Sequence, residues 1–333
     1  MSDPNQEFQP PPPPAIQAEP DRRRPTNLMF AGIALVVIGI VVVVLGLPMI
    51  GLIVGGIGTG AAICVLGILF FGFSFMRMPA VDNPPPKMSA VATLTGIFFE
   101  PSNVFRNLRA YPQWLAPFIV IAVAAVAFQV AFTQRIGAET IAAATIEKVI
   151  DSGFIPADKI PDVRAQALQS AKQVGTRLGG PIWAVVGVYI VMCILTGLYM
   201  LGVLISGARI KFWQAFCVAV YAAMPPILIQ NLISFIILFV KSPDEIDPIK
   251  GQRGLAHADL SLLFVPAEHP YLYVLGLNIG LFTIYGLWLT ATGLHNAGEK
   301  VSKGTGWFIA LALWVLGLLL SLGAAALFPA FIT

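Results

Sequence analysis

The sequence predicts an all-α, polytopic integral membrane helical bundle of about seven transmembrane helices: an N-terminal two-helix hairpin followed by a five-helix domain. Three observations carry this. Of 333 residues, 57% are hydrophobic and only 11% charged, where a soluble domain holds about 25% charged residues; so few charges cannot cover a soluble fold of this size. Long apolar stretches recur without an Asp, Glu, Lys or Arg. Tryptophan and tyrosine stand at the entrance of stretch after stretch, where amphipathic rings settle at a membrane–water boundary. A net charge of +3 without a dense basic patch excludes a nucleic-acid-binding protein. Cys64, Cys193 and Cys217 lie inside apolar runs, so neither a disulfide framework nor a thiolate metal site is expected.

Residues 1–27 are rich in proline, with five in a row at Pro10–Pro14. Such a segment buries too little to offset its ordering entropy and reads as a disordered cytoplasmic tail. From Leu28 to Met76 no residue is charged. One helix of that length would reach roughly 74 Å, more than twice the hydrocarbon core, so two spans are expected, at 28–47 and 51–75, turning at Gly46, Pro48 and Gly51. Gly55, Thr59, Gly56 and Gly60 in the second span are spaced for close helix packing. Residues 77–113 form a linker that ends in an amphipathic segment. There Ser102 is a candidate N-cap, Val104, Phe105 and Leu108 share a face, and Arg106 and Arg109 point away; the segment, entered through Pro101, reads as a helix lying in the interface.

The membrane domain occupies 114–333, with spans at 114–132, 182–205, 212–240, 271–294 and 307–328, opened by Tyr111 and Trp114, Trp183, Trp213, Tyr271 and Tyr273, and Trp307. Between them, Val163, Ala167, Ala171, Val174 and Leu178 recur at helical spacing and predict an amphipathic helix. The short loops on one side carry Arg22–Arg24, Arg77, Lys87, Arg106, Arg109, Arg209, Lys211, Lys300 and Lys303. By the positive-inside rule the N-terminus is cytoplasmic and the C-terminus extracytoplasmic.

No Asp, Glu, Lys or Arg falls within the expected spans, which argues against an ion-coupled pump. No zinc-peptidase, nucleophile-elbow, phosphate-loop or dinucleotide motif occurs, so no catalytic residue, metal or cofactor is expected. His257, Asp259, Glu268 and His269 share a loop but follow no ligand spacing; His295 reads as a helix-terminal residue. Gln129, Tyr221, Gln230, Asn231 and Asn278 are polar at depth and need partners there. Pro225 and Pro226 are expected to break the 212–240 span, because they strip donors from the carbonyls near Tyr221 and Ala222. Tyr221, Gln230 and Asn231 would line that break, making it the candidate site.

Four stretches resemble the Yip family of membrane proteins that interact with Ypt/Rab GTPases, most closely its bacterial branch: IFFEPSNVFRNL, WLAPFIVIAVAA, ARIKFWQAFCVAVYAAMPPIL and NIGLFTIYGLWLTATGL. The likeness spans about 90–330. The Pro-containing entry falls on Phe98–Phe105 with Pro101, and the Tyr-x-x-x-Pro feature on Tyr221 and Pro225. The aromatic feature falls on Leu281, Phe282 and Tyr285, where Tyr replaces Trp, and Val220 stands where a Gly is usual. The resemblance implies five membrane helices, a cytosolic N-terminus and a C-terminus across the membrane. In eukaryotes it implies trafficking and GTPase recruitment; the tail lacks the eukaryotic cytosolic motif, so that binding is not carried over. The expected function is non-enzymatic: organising the membrane or recruiting protein partners through the tail or interfacial helix, with the lipid bilayer as constant partner and homo-oligomers compatible. The alternative is a passive channel or a small-molecule or lipid transporter with a path beside Pro225-Pro226.

Overall fold

The computed structural model describes residues 26–46, 53–76, 83–151, 155–172, 174–266 and 268–327. The expected tail and the turn at Pro48 and Gly51 lie outside them. The described chain is all-α. Its helices are α1 (Thr26–Gly46), α2 (Ile53–Phe73), α3 (Ala90–Phe99), α4 (Pro101–Ala110), α5 (Leu115–Ile136), α6 (Ala138–Asp151), α7 (Ile160–Lys172), α8 (Val174–Ile205), α9 (Phe212–Val240), α10 (Pro270–Leu277), α11 (Leu281–Ala297) and α12 (Lys303–Leu327). Four segments are long and apolar enough to cross a membrane: α5, Pro181–Ile205 of α8, α9 and α12. Shorter apolar stretches run over Leu28–Val43, Thr59–Phe73 and Ala90–Phe99.

Glycine sets the distance between α1 and α2. A Cβ built on Gly32 would lie 2.8 Å from the Gly67 carbonyl oxygen, and one on Gly60 2.7 Å from that of Gly39. The two helices therefore run antiparallel with their backbones nearly touching, as small residues permit in an apolar medium. Gly60 thus packs as its spacing predicts; the surroundings of Gly55 and Gly56 lie outside the described residues. Cys64 rests on this seam, its Sγ 3.7 Å from the Val36 carbonyl oxygen.

The core sits where α2, α5, α8 and α9 meet, filled by Phe70, Trp114, Phe118, Tyr189, Trp213 and Phe216. Trp114 and Trp213 stack with ring centroids 6.0 Å apart and are only 5% and 1% exposed. These two rings are core rather than belt, which corrects the reading of them as interfacial anchors. Trp183, Tyr271 and Trp307 do face outward, at 45%, 55% and 39% exposure. The Trp213 indole also donates to the Met76 carbonyl at 3.2 Å, so the end of α2 and the starts of α5 and α9 gather at one end of the bundle.

At the other end, α6 and α7 form an antiparallel pair carrying the ion pairs Arg164–Glu147 (2.7 Å) and Lys172–Glu139 (4.0 Å). Ala171, on the expected stripe, is buried, and Val163 and Ala167 are partly covered; the side chains of Val174 and Leu178 lie outside the described residues. The helix holding Val174 is α8 itself, which begins before the expected boundary and keeps Pro181 inside. Arg135 finishes the neighbouring corner, donating to the Lys241 carbonyl at 2.9 Å. It thereby satisfies a backbone oxygen just past the C-terminus of α9, which the helix leaves without an internal donor.

Two expectations about continuity change. Helix α9 runs unbroken from Phe212 to Val240 through Pro225 and Pro226. Each proline keeps a helical φ but removes its own donor and crowds the carbonyl four residues back; Tyr221, Ala222, Pro225 and Pro226 are all buried in protein, where freed carbonyls are tolerated. The expected span at 271–294 is the one interrupted: α10 stops at Leu277, Asn278 caps it, and α11 starts at Leu281 from an N-cap at Gly280. The loop preceding α10 fills this gap. The Leu260 amide donates to the Ile279 carbonyl at 3.1 Å and the Leu281 amide to the Ala258 carbonyl at 2.9 Å. Glycine makes the approach feasible, since a Cβ on Gly276 would lie 2.5 Å from the Ser261 nitrogen.

Candidate functional site

The residues expected to form a short helix lying in the interface build a platform on the end of the bundle where α5 and α9 begin. Helix α4 starts at Pro101, whose missing N–H would have no intrahelical acceptor at that position. Its N-cap is Glu100, which corrects the assignment to Ser102. Ahead of it stands α3, a helix the sequence reading folds into the linker. Ser89 caps it, accepting from the Ala92 amide at 3.2 Å.

The apolar face of α4 is not laid on lipid. Val104, Phe105 and Leu108 are fully buried, and Phe105 occupies the space above Gly293 of α11, where a Cβ would meet its ring at 3.0 Å. Burying such a ring is worth about 1.5–3 kcal/mol. The charged residues of α4 contribute less. Arg109 reaches Glu299 at 3.7 Å with both side chains more than a third exposed, a pair worth under about 1 kcal/mol. Arg106 is exposed and donates through Nε to Asn296 at 3.2 Å. Hydrophobic docking holds the platform; Arg106 faces outward from it, while Arg109 is half-buried with its Nε covered.

A buried polar network ties the platform to the bundle. Asn107, almost wholly buried, donates to the Pro86 carbonyl at 2.8 Å and accepts from the Met88 amide at 3.2 Å. Gln113 donates to the Met88 carbonyl at 3.1 Å. Gln214 of α9 donates to the Arg109 carbonyl at 2.9 Å and accepts from the Lys211 amide at 2.9 Å. The Tyr221 hydroxyl lies 3.0 Å from Thr93 Oγ1 and 3.1 Å from the Gln113 carbonyl oxygen, with its single proton available to either. Asn107, Gln113, Gln214 and Thr93 are absent from the sequence-based site. The signal for Asn107 is its spacing, three residues after Val104 and on the same buried face.

The residues expected to line a helix break therefore part company. Tyr221 turns to α3 and the α4–α5 connection. Gln230 donates to the Ala256 carbonyl at 3.3 Å, beside Ser234, whose hydroxyl accepts from the Leu255 and Ala256 amides at 3.0 Å. Asn231 is partly covered, and Pro226 faces Gly286 of α11, where a Cβ would lie 3.9 Å from its ring. Asn278 donates within its own helix to Val274 at 2.8 Å, while its carbonyl accepts from Trp314 at 3.1 Å. Tyr221 and Gln230 thus tie α9 to two different segments, and the Asn278 side chain bonds within its own helix.

Beside the platform, α8 and the α8–α9 turn enclose a groove of about 750 Å³. Met200, Leu201 and Leu204 form its wall, and Arg209, Lys211 and Glu299 stand around its mouth. The mouth is braced by a backbone bridge, the Arg209 amide donating to Glu299 at 3.1 Å and the Glu299 amide to Arg209 at 2.7 Å. His295, in the last turn of α11, contacts the Val301 carbonyl through Nδ1 at 2.6 Å and helps fix the same corner. Among the described residues no group of three or more His, Cys, Asp or Glu could hold a metal ion; His257 pairs with Asp259 at 3.7 Å.

Apolar membrane-length helices, a core that among the described residues holds no Asp, Glu, Lys or Arg, and a helical face sewn onto them define a multi-pass helical membrane protein with the features of a scaffold. Residues 95–325, most of the chain, match the Yip1 domain. The chain belongs to that family, with α1 and α2 preceding the matched region. No curated protein and no solved structure matches it.

Proposed function

We propose that this Yip-domain protein organises the membrane and recruits partners through the face built by α3, α4 and the turns that carry Arg209 and Glu299. The observation that carries the reading is the construction of that face: Phe105, Asn107 and Tyr221 hold it rigidly while Arg106 stays exposed. A preorganised surface needs little ordering on binding. We place it in the cytosol because the short loops beside it carry the basic residues. The chain then crosses a bacterial cytoplasmic membrane about seven times, with α1 and α2 as a hairpin, α10 and α11 together as one interrupted crossing, the N-terminus cytoplasmic and the C-terminus outside. The proline-rich tail would sit on the same side as the platform and extend its reach to partners; a homo-oligomer is compatible with this arrangement.

A passive conduit would line several spans with one polar stripe. Tyr221 bonds to α3 and the α4–α5 connection, Gln230 and Ser234 together to residues 255–256, and Asn278 within its own helix; three separate places rather than one stripe favour the scaffold. The test is native purification with co-purifying proteins identified by mass spectrometry, comparing wild type with R106E, which changes an exposed side chain. The reading expects specific proteins to be lost from the variant while its melting temperature holds. An unchanged set of companions would contradict it.

A further inference from the structure

We infer that the groove along α8 binds an anionic phospholipid, its acyl chain against the helix and its phosphate at Arg209 and Lys211. The inference does not rest on partner capture by the platform. The wall of the groove belongs to the last turns of the apolar segment Pro181–Ile205, and its mouth follows directly after the Ser206-Gly207 turn. The lining thus changes from hydrocarbon-like to cationic within a few residues, the sequence of environments that a phospholipid itself presents.

The wall is open towards lipid. Leu201 and Leu204 are 53% and 67% exposed, and a Cβ built on Gly197 would meet nothing within 4 Å. Gly197 therefore leaves a notch. From Gly197 to Ile205 the helix rises roughly 12 Å, deep enough to hold the upper part of an acyl chain.

The mouth selects for charge. Arg209 and Lys211 are both exposed, and neither forms an ion pair among the described residues. Glu299, the one acid at the mouth, is engaged by Arg109 at 3.7 Å, which offsets its repulsion of a phosphate. The Gln214 amide is occupied by Arg109 and Lys211 backbone groups, so the cations are the available recognition elements. A guanidinium and an ammonium at a membrane boundary attract anionic headgroups by about fivefold each, and the guanidinium can meet a phosphate with two parallel hydrogen bonds.

The experiment uses the full chain in nanodiscs of phosphatidylcholine containing a minor fraction of spin-labelled phosphatidylglycerol or spin-labelled phosphatidylcholine, and reads the protein-bound fraction by electron spin resonance. Wild type should retain phosphatidylglycerol over phosphatidylcholine by at least fivefold. R209Q/K211Q should lose that preference, whereas the charge-keeping R209K/K211R should retain most of it. G197L should fill the notch and lower binding at this site without changing the mouth. Equal retention of both lipids by wild type, or a preference that survives in R209Q/K211Q, overturns the proposal. So does loss of preference in R209K/K211R at an unchanged melting temperature, because the charges would then not be the cause. Complete displacement of the labelled lipid by millimolar inorganic phosphate would assign the mouth to a soluble anion and likewise overturn it.

Discussion

Replacing Asn107 by Leu removes the amide that holds the linker while keeping a side chain of similar bulk on the buried face of α4. Two hydrogen bonds are lost, to the Pro86 carbonyl and from the Met88 amide. If both backbone groups stayed buried and unpaired, each would cost about 1–3 kcal/mol. They need not stay so, because residues 83–87 are exposed and Met88 is only partly covered, and the linker can lift into water. The relevant cost is then the net worth of two bonds, roughly 2 kcal/mol in total. That corresponds to about a thirtyfold increase in the open population. Hydrogen exchange measured on the protein in nanodiscs reads this directly, since the Met88 amide is itself the lost donor. Its exchange should accelerate by about thirtyfold, and amides in the middle of α5 and α9 should not change. Unaltered exchange at Met88 would refute the network as the linker's anchor. Acceleration throughout α9 would show that Asn107 supports the bundle and not the linker alone.

Other consequences follow from the same packing. Gly67→Leu places side-chain atoms where a Cβ already lies 2.7 Å from the Val36 nitrogen; overpacking of this kind costs about 1–3 kcal/mol, and Cys64 should react faster with a membrane-permeant maleimide. Gly276→Val should displace the segment around Ser261, read as faster exchange of the Leu260 and Leu281 amides with those of α12 unchanged. P225A/P226A should leave the melting temperature unchanged or raise it, because α9 is already continuous and the variant returns two backbone donors; a fall of several degrees would mean that the proline rings carry essential packing. Phe105→Ala should cost about 3–5 kcal/mol where the site cannot collapse, releasing α4 to proteolysis before the bundle unfolds.

The apolar spans were legible because length and the absence of charge are properties of the chain itself. Which side of a helix meets protein is not. Trp114 and Trp213 occupy the same kind of position as Trp183 and Trp307, yet the first two are core; only the arrangement of neighbours separates them. Helix α3 escapes notice because its ten residues follow a proline-rich stretch and carry too short a periodic signal, although Ser89 marks its start. The misplaced break has a similar origin. Adjacent prolines are the loudest disruption in the sequence, but Pro225 and Pro226 sit where buried protein surrounds the backbone. The real interruption relies on quieter letters: Asn278 as a cap and Gly276 and Gly280 as points of close approach. Their meaning depends on the segment 258–261 arriving beside them, a long-range event that local pattern does not encode. The family likeness over about 90–330 agrees with the matched region, and Tyr221 bonds to α3 and the α4–α5 connection from a helix that runs on through both prolines.

The platform and the loop that precedes α10 are expected on opposite sides of a membrane, separated by the interrupted crossing of α10 and α11. Single-cysteine labelling in sealed vesicles, with Cys64, Cys193 and Cys217 replaced by Ala, measures this directly. Ser302→Cys, at the platform end, is exposed, and Leu262→Cys, 71% exposed at the other end, avoids the buried Ser261. In right-side-out vesicles an impermeant maleimide should label the cysteine at 262 at once and the one at 302 only after permeabilisation. Labelling of both from the same side would contradict the arrangement.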